Sequence, residues 1–188
     1  MVKRDVYTHG HQPAAVNQHA KRTAESCAQF VRSVVEPGSQ ILDVGCGPAS
    51  ITVGLAKWAA AGSVTAIDVG EEILQTAQKV VEDSGCLNVS LEEASVYELP
   101  YPDSSFDLTY AHQVLQHLAD PVSAIQEMAR VTRPGGHIAV RDADYYTMSC
   151  SPESKLIDEW RRIYRLVARH NEAEPDAGRH LLRWFHQA

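Results

Sequence analysis

Short runs of apolar residues alternate along the chain with segments in which apolar residues recur at helical spacing. Together these patterns predict strands separated by helices. Short apolar runs rich in β-branched residues predict five strands; they lie at residues 41–44, 64–67, 89–91, 106–111 and 137–141. Between them, apolar residues recur at helical spacing, as in Ile51, Leu55 and Trp58. Strands that alternate with helices predict an α/β fold with a doubly wound, mostly parallel sheet and helices on both faces.

The two ends of the chain depart from this alternation. Apolar spacing from about Ala14 to Val35 predicts a first helix that stops at Pro37. Beyond the fifth strand, Leu156, Trp160, Ile163, Tyr164 and Val167 predict one helix, and Leu181, Leu182 and Phe185 predict another. We therefore divide the chain into an N-terminal arm (1–15), a ligand-binding core (16–145) and a helical segment (146–188).

The first strand leads into a glycine-rich turn, and the second strand ends in a carboxylate. Gly45 and Gly47 allow a sharp turn whose backbone can approach a ligand, and Asp68 is placed to accept hydrogen bonds from ribose hydroxyls. This pattern predicts an adenosine-containing cofactor. A dinucleotide fingerprint requires a third glycine where Ser50 stands, and Pro48 removes an N–H from the turn. A ligand with a ribose but no phosphates fits better.

Net charge, the length of apolar runs and cysteine spacing exclude several classes of function. The net charge is −7 and the basic residues are scattered, so we expect no nucleic-acid partner. No apolar run is long enough for a membrane span, and no secretion signal is evident. The four cysteines are far apart and have no metal-binding spacing, so we expect no metal and a reducing, cytoplasmic location.

Two further segments carry a resemblance to a known family. Residues 98–107 (ELPYPDSSFD) and 130–136 (RVTRPGG) accompany the glycine turn in the right order. With it they resemble the class I S-adenosylmethionine-dependent methyltransferases of the ubiquinone/menaquinone-biosynthesis type (methyltransferase domain 11/25 type). The resemblance implies a Rossmann-like fold and S-adenosyl-L-methionine as cofactor. Sheets of that family carry seven strands, so we expect the C-terminal strands to be missing and the fifth strand's bare edge to permit self-association.

The resemblance also assigns cofactor contacts residue by residue. It places Asp43, Gly45, Cys46 and Gly47 against the methionine portion, Asp68 on the ribose, Val69 on the adenine face, and Ser95 and Val96 at the adenine edge. Ser95 stands where the family often has an aspartate. An ordinary solvated turn serine is the alternative interpretation of Ser95.

The carboxyl ends of the fourth and fifth strands supply the remaining candidates. His112 and Gln113 follow strand four, at the edge where α/β sheets bind ligands, and are predicted to contact cofactor or substrate. His117 is predicted to contact substrate, with a structural histidine as the alternative. Asp142 and Tyr145 are predicted to line a substrate pocket or else to lie in a solvated loop.

The N-terminal arm contains further candidates. Tyr7, His9 and His11 would either close over the substrate as a lid or form a solvated tail. If the acceptor needs a general base, His112 is the first candidate, and His9 or His11 comes next. The predicted function is methyl transfer to a small-molecule acceptor. The alternatives are a nicotinamide-dependent oxidoreductase and a truncated, non-catalytic cofactor-binding remnant.

Overall fold

The computed structural model describes Asp5 and residues 21–188. Its strands form one parallel sheet in the order β3-β2-β1-β4-β5, as the alternating pattern predicts. The strands are β1 (Gln40–Val44), β2 (Ser63–Asp68), β3 (Val89–Glu93), β4 (Phe106–His112) and β5 (Thr132–Arg141).

Helices lie between the strands and after them. The α-helices are α1 (Ala24–Cys27), α2 (Thr52–Trp58), α3 (Glu71–Ser84), α4 (Pro121–Val131), α5 (Lys155–His170) and α6 (Leu181–Gln187). Short 3-10 helices span Gln29–Val34, Leu115–His117 and Ala177–Arg179. Nowhere in the described part of the chain is there a helix with the length and apolar character that crossing a membrane requires.

Two hydrophobic layers cover the faces of the sheet. Alternate strand residues point to opposite faces, so Ile41 and Leu108 pack with Leu55 of α2, while Leu42 packs with Met128 of α4. Strand β1 lies at the centre, between β2 and β4. Because strand order reverses there, the carboxyl ends of β1 and β4 border a crevice where α/β sheets bind ligands.

The start of β5 differs from the prediction of a tight turn followed by a strand. Thr132 already pairs with Phe106, and pairing resumes where His137 meets Leu108. The residues between therefore form a bulge inside the strand. A Cβ on Gly136 would lie 2.7 Å from the carbonyl oxygen of Asp107, so a glycine is required for this close approach.

The prediction of one continuous helix from Ala14 to Val35 is wrong for its described part; residues 14–20 lie outside the described residues. The Thr23 hydroxyl accepts a hydrogen bond from the Ser26 N–H (3.3 Å) and starts the four-residue α1. A 3-10 helix follows from Gln29. Threonine competes with helix propagation by capping, because its hydroxyl satisfies a free backbone N–H at the start of a helix.

Helix α5 has the predicted apolar stripe, but most of the stripe faces solvent. Tyr164 is buried, whereas Leu156, Trp160, Ile163 and Val167 are exposed. Helix α6 buries Trp184 against the α4 layer and leaves Leu182 exposed. Periodicity therefore located both helices but not the side that is buried.

A close helix contact gives a test of this packing. A Cβ on Gly54 of α2 would lie 2.4 Å from the Cβ of the fully buried Ala24 in α1. We expect Gly54→Ala to lower the free energy of unfolding by about 1–3 kcal/mol, because overpacking forces the two helices apart. Urea unfolding measures the loss. Gly38→Ala is the matched control, since a Cβ there meets nothing within 4 Å; equal stability of the two variants would contradict the contact.

Candidate active site

A cavity of about 760 Å³ opens at the carboxyl ends of β1, β2 and β4. This volume is within the range of small-molecule sites. Its walls come from the glycine turn after β1, the end of β2, the loop after β3 and the loop after β4. Asp5 and Arg22, which precede α1, complete the lining. The sequence-predicted residues among the lining are Asp43, Gly45, Cys46, Gly47, Asp68, Val69, Ser95, Val96, His112, Gln113 and His117.

The glycine turn requires its glycines for two different reasons. Gly45 and Gly47 have φ values of +66° and +55°, in the left-handed region that favours glycine. A Cβ on Gly45 would lie 2.5 Å from a methyl carbon of Val114, so the turn packs directly on the loop after β4. A Cβ on Gly47 would meet nothing within 4 Å, and this backbone is therefore open to a ligand in the cavity.

The N–H groups of the turn are used within the protein. Cys46 donates to the Ile67 carbonyl (2.9 Å), Gly47 donates to Asp68 (3.0 Å) and Ala49 donates to the Cys46 carbonyl (3.0 Å). Pro48 has no N–H to give. A diphosphate is normally held by such N–H groups, so a turn that has already used them is poorly suited to a dinucleotide.

Asp68 joins two turns at the rim of the cavity. Its Oδ2 accepts the Gly47 N–H and its Oδ1 accepts the Gly70 N–H (3.2 Å). Each carboxylate oxygen can accept more than one hydrogen bond, which leaves capacity for ribose hydroxyls. Val69, directly after it, is 71% exposed and presents an apolar surface beside the carboxylate.

Two groups beneath the turn are buried. Asp43 accepts a hydrogen bond from the Thr52 hydroxyl (2.6 Å). Burial raises the pKa of Asp43 to about 7, against the lowering effect of that hydrogen bond. Burial likewise raises the pKa of the Cys46 thiol. Asp43 thus links the end of β1 to the start of α2 through Thr52. The Cys46 thiol is uncharged and lines the cavity.

Ser95 and Val96 lie together on the wall formed after β3. The Ser95 hydroxyl accepts the Tyr97 N–H (3.3 Å), and Val96 is buried. The serine therefore shapes its own turn as well as lining the cavity. Both the adenine-edge interpretation and the turn-serine interpretation are compatible with this placement.

The end of β4 brings His112 and Gln113 to the cavity, together with Arg22, which sequence analysis missed. The Arg22 guanidinium donates to the Gln113 side-chain carbonyl (2.6 Å). Among the described residues that line the cavity, Arg22 is the only lysine or arginine. Gln113 has a φ of +57°, and its N–H donates to the Arg141 carbonyl (2.7 Å). No sequence signal identifies Arg22, because an isolated arginine near a helix start is ordinary.

His117 also lines the cavity, and it is buried. Its Nε2 is 3.0 Å from the Nε2 of Gln116, which is also buried. Sequence analysis named His117 but not Gln116, because a glutamine in a three-residue 3-10 helix carries no recognisable pattern.

Asp142 and Tyr145 lie outside the described cavity lining. The Asp142 carboxylate accepts the Gln116 N–H (3.1 Å) at the start of the Leu115–His117 helix. Tyr145 packs against Tyr164 and Trp160, with ring centroids 4.4 and 6.0 Å away. The predicted substrate contacts of Asp142 and Tyr145 stay predictions.

One described residue of the N-terminal arm reaches the cavity. Asp5 lines it and accepts the Ala119 N–H (3.0 Å). Tyr7, His9 and His11 lie outside the described residues. Within residues 21–188 and Asp5, no three His, Cys, Asp or Glu side chains are grouped to hold a metal ion, and the absence of a metal stays a prediction.

The strand order and the site define the class. A parallel sheet with this order, a glycine turn whose N–H groups are used internally and a carboxylate that ends β2 are the parts of a class I, Rossmann-like S-adenosylmethionine-dependent methyltransferase domain. Comparison with known proteins agrees. The chain belongs to the family described as "Methyltransferase domain", which matches residues 35–188. The resemblance noted in the sequence is confirmed.

Particular relatives and structures extend this result. An uncharacterized methyltransferase of Schizosaccharomyces pombe is 36% identical over 184 residues, covering 95% of this chain and 66% of the relative. A ubiquinone/menaquinone biosynthesis C-methyltransferase of Bdellovibrio bacteriovorus is 37% identical over 108 residues, covering 57% of this chain and 46% of the relative. The chain therefore spans less than two thirds of either relative's length.

A solved structure supports the fold independently. A SAM-dependent methyltransferase from Aquifex aeolicus superimposes with a TM-score of 0.66 at 22% identity, covering 85% of this chain and 87% of that one. At this identity the likeness establishes the fold alone.

The position of Asp142 predicts a pH dependence of stability. Burial raises its pKa to about 7, against the lowering effect of the Gln116 N–H. The folded protein then holds a proton that the unfolded chain releases above about pH 4. Stability contributed by this group therefore falls as pH rises from about 4 to 7. We expect Asp142→Asn to become more stable relative to the parent protein between pH 5 and pH 8, by thermal melting. A constant difference in Tm would contradict the raised pKa.

Proposed function

We propose that the protein transfers the methyl group of S-adenosylmethionine to a small-molecule acceptor, at carbon, oxygen or nitrogen. Membership of the methyltransferase-domain family supports this proposal. The observation that carries it is the pair of hydrogen bonds by which Asp68 joins the Gly47 and Gly70 N–H groups. They hold a carboxylate at the cavity rim beside backbone that is open to a ligand.

The cavity suits each part of the cofactor. Asp68 would accept the ribose hydroxyls, and the exposed Val69 would pack on the adenine, with Ser95 and Val96 at its edge. Gly45, Cys46 and Gly47 would border the methionine portion, with Asp43 beneath them. We assign Arg22 to the methionine carboxylate, because a guanidinium matches a carboxylate in charge and in hydrogen-bond geometry. When bound, S-adenosylmethionine supplies a methyl group attached to a positively charged sulfur.

A nicotinamide-dependent oxidoreductase is the weaker alternative. Such a protein needs N–H groups for a diphosphate, and those of Cys46, Gly47 and Ala49 are taken within the turn. The other alternative is a cofactor-binding remnant without catalytic activity. The turnover measurement described below distinguishes such a remnant from an enzyme.

The protein's main contribution to the reaction is position. Holding the acceptor and the methyl group in line can remove roughly 7–11 kcal/mol from the barrier. A resonance-stabilised carbon or a phenolate acceptor needs little catalytic help beyond this positioning. A hydroxyl or amine acceptor must also lose a proton. His112 is our first candidate to accept that proton, because it lies at the end of β4 in the cavity wall. His9 or His11 would be the next candidates. Tyr7 belongs to the same arm, which we propose as a lid because Asp5 lines the cavity.

We also propose a cytoplasmic location, a small-molecule partner and no nucleic-acid partner, in line with the net charge of −7 and the four free cysteines. We keep as proposals the domain divisions at residues 15 and 145, which separate the lid, the cofactor-binding core and the helical segment. Self-association through β5 is a further proposal, since this strand pairs with β4 on one side and is an edge among the described strands. Sedimentation at several concentrations would detect it.

A crossed titration tests the two ends of the cofactor site. We expect Asp68→Ala to weaken binding of both S-adenosylhomocysteine and methylthioadenosine about 10–100-fold, because both contain the ribose. Arg22→Met should weaken S-adenosylhomocysteine by a similar factor and leave methylthioadenosine unchanged, because the latter has no carboxylate. Isothermal titration calorimetry measures all four affinities.

The controls for this titration use the same charge changes elsewhere. Asp83→Ala removes an exposed carboxylate, and Arg183→Met removes a distant guanidinium. Thermal melts confirm that each variant is folded. Unchanged affinity in a folded Asp68→Ala would refute the cofactor assignment, and equal weakening of both ligands by Arg22→Met would refute the carboxylate contact alone.

His112 can be tested with a panel of acceptors. We expect His112→Asn to lower kcat for hydroxyl and amine acceptors by about 10²–10⁴-fold, because these must lose a proton during transfer. Stabilised carbon acceptors should be affected much less. Release of S-adenosylhomocysteine gives the rate, and His170→Asn on α5 is the control for a histidine outside the cavity. Normal turnover of every acceptor would remove His112 as the base.

A further inference from the structure

We infer that Gln116 is a positioning residue that fixes His117 as the neutral imidazole with its proton on Nδ1. This inference deepens the proposed function, since His117 is part of the wall that would face the methyl acceptor. It assigns a role to a buried polar residue that does not itself belong to the described cavity lining.

Gln116 is held by three hydrogen bonds to two separate parts of the chain, residues 142–143 and Glu174. Its backbone N–H donates to Asp142 (3.1 Å), and its carbonyl accepts the Glu174 N–H (3.1 Å). Its side-chain Oε1 accepts the Ala143 N–H (3.2 Å). Because its exposed fraction is only 1%, these contacts are shielded from water and fix the side chain in place.

The Ala143 contact determines which way the amide points. A backbone N–H can only donate, so the oxygen of the Gln116 amide must face Ala143. The amide nitrogen then faces His117, 3.0 Å from its Nε2. An amide nitrogen donates and does not accept, so His117 Nε2 must be the acceptor. A neutral imidazole with one accepting nitrogen carries its proton on the other, which here is Nδ1.

This proton position separates the two cavity histidines by role. The Nε2 lone pair of His117 is engaged by Gln116, and protonation there would set two donors against each other. With its proton on Nδ1 and its Nε2 lone pair engaged, His117 is not available as the general base. Proton removal from the acceptor molecule therefore falls to another group.

The test reads the ring directly and needs no acceptor. Two-bond ¹H–¹⁵N correlation spectra of the unliganded protein at neutral pH distinguish a protonated Nδ1 from a protonated Nε2, and His117→Phe identifies the signals. We expect a single Nδ1–H form. In Gln116→Glu the carboxylate can accept from both Ala143 and His117, so Nε2 should become protonated. A Gln126→Glu variant makes the same change at an exposed position of α4 and should leave the ring as it is.

A second variant covers the case in which a buried glutamate prevents folding. Gln116→Met keeps the side-chain length but removes the donor, and we expect the Nδ1–H form to lose its exclusive population. An Nε2–H or doubly protonated His117 in the parent protein, or an unchanged ring in both folded variants, would overturn the inference. Calorimetry with S-adenosylhomocysteine on the same samples tests the cofactor site separately, so the two failures are distinguishable.

Discussion

The carboxylate of Asp68 organises the site because it connects two turns that belong to different strands. By accepting the N–H groups of Gly47 and Gly70, it ties the glycine turn after β1 to the start of α3. Because Val44 pairs with Ile67 in the parallel sheet, the turns that follow β1 and β2 lie side by side. The Cys46 N–H donates a further hydrogen bond to the Ile67 carbonyl. A ligand that replaces or extends these contacts finds the carboxylate already oriented, so little conformational freedom is lost on binding.

The cavity also divides according to the sheet. Residues after β1, β2 and β3 line the part that we propose for the adenosine, and residues after β4 line the part that we propose for the acceptor. The residues after β4 depend on contacts with distant segments: Arg22, which we assign to the cofactor, reaches Gln113, and Gln116 joins the loops that contain Ala143 and Glu174. Variation in the loops that hold Gln116 can change the proposed acceptor side while the glycine turn and Asp68 stay intact, as expected where function is built on a common fold.

The elements that were predicted correctly are those with strong local signals. Gly85, with φ of +70°, ends α3 as a left-handed cap, and Asp68 ends β2 as expected. The errors have tertiary causes. The bulge in β5 depends on how closely Gly136 approaches Asp107, and the exposed side of α5 depends on which neighbours the fold supplies. Arg22 and Gln116 could not be found in the sequence, because their partners lie 91 and 27 residues away.

The backbone at Gln113 has a wider consequence. A residue with a side chain at φ of +57° costs on the order of 1–2 kcal/mol relative to glycine. Glycine would relieve that strain but would remove the amide that receives the Arg22 guanidinium. Fold stability and the proposed ligand recognition therefore place opposite demands on position 113. A search for stabilising substitutions that ignored the ligand would choose glycine here and lose the contact with Arg22.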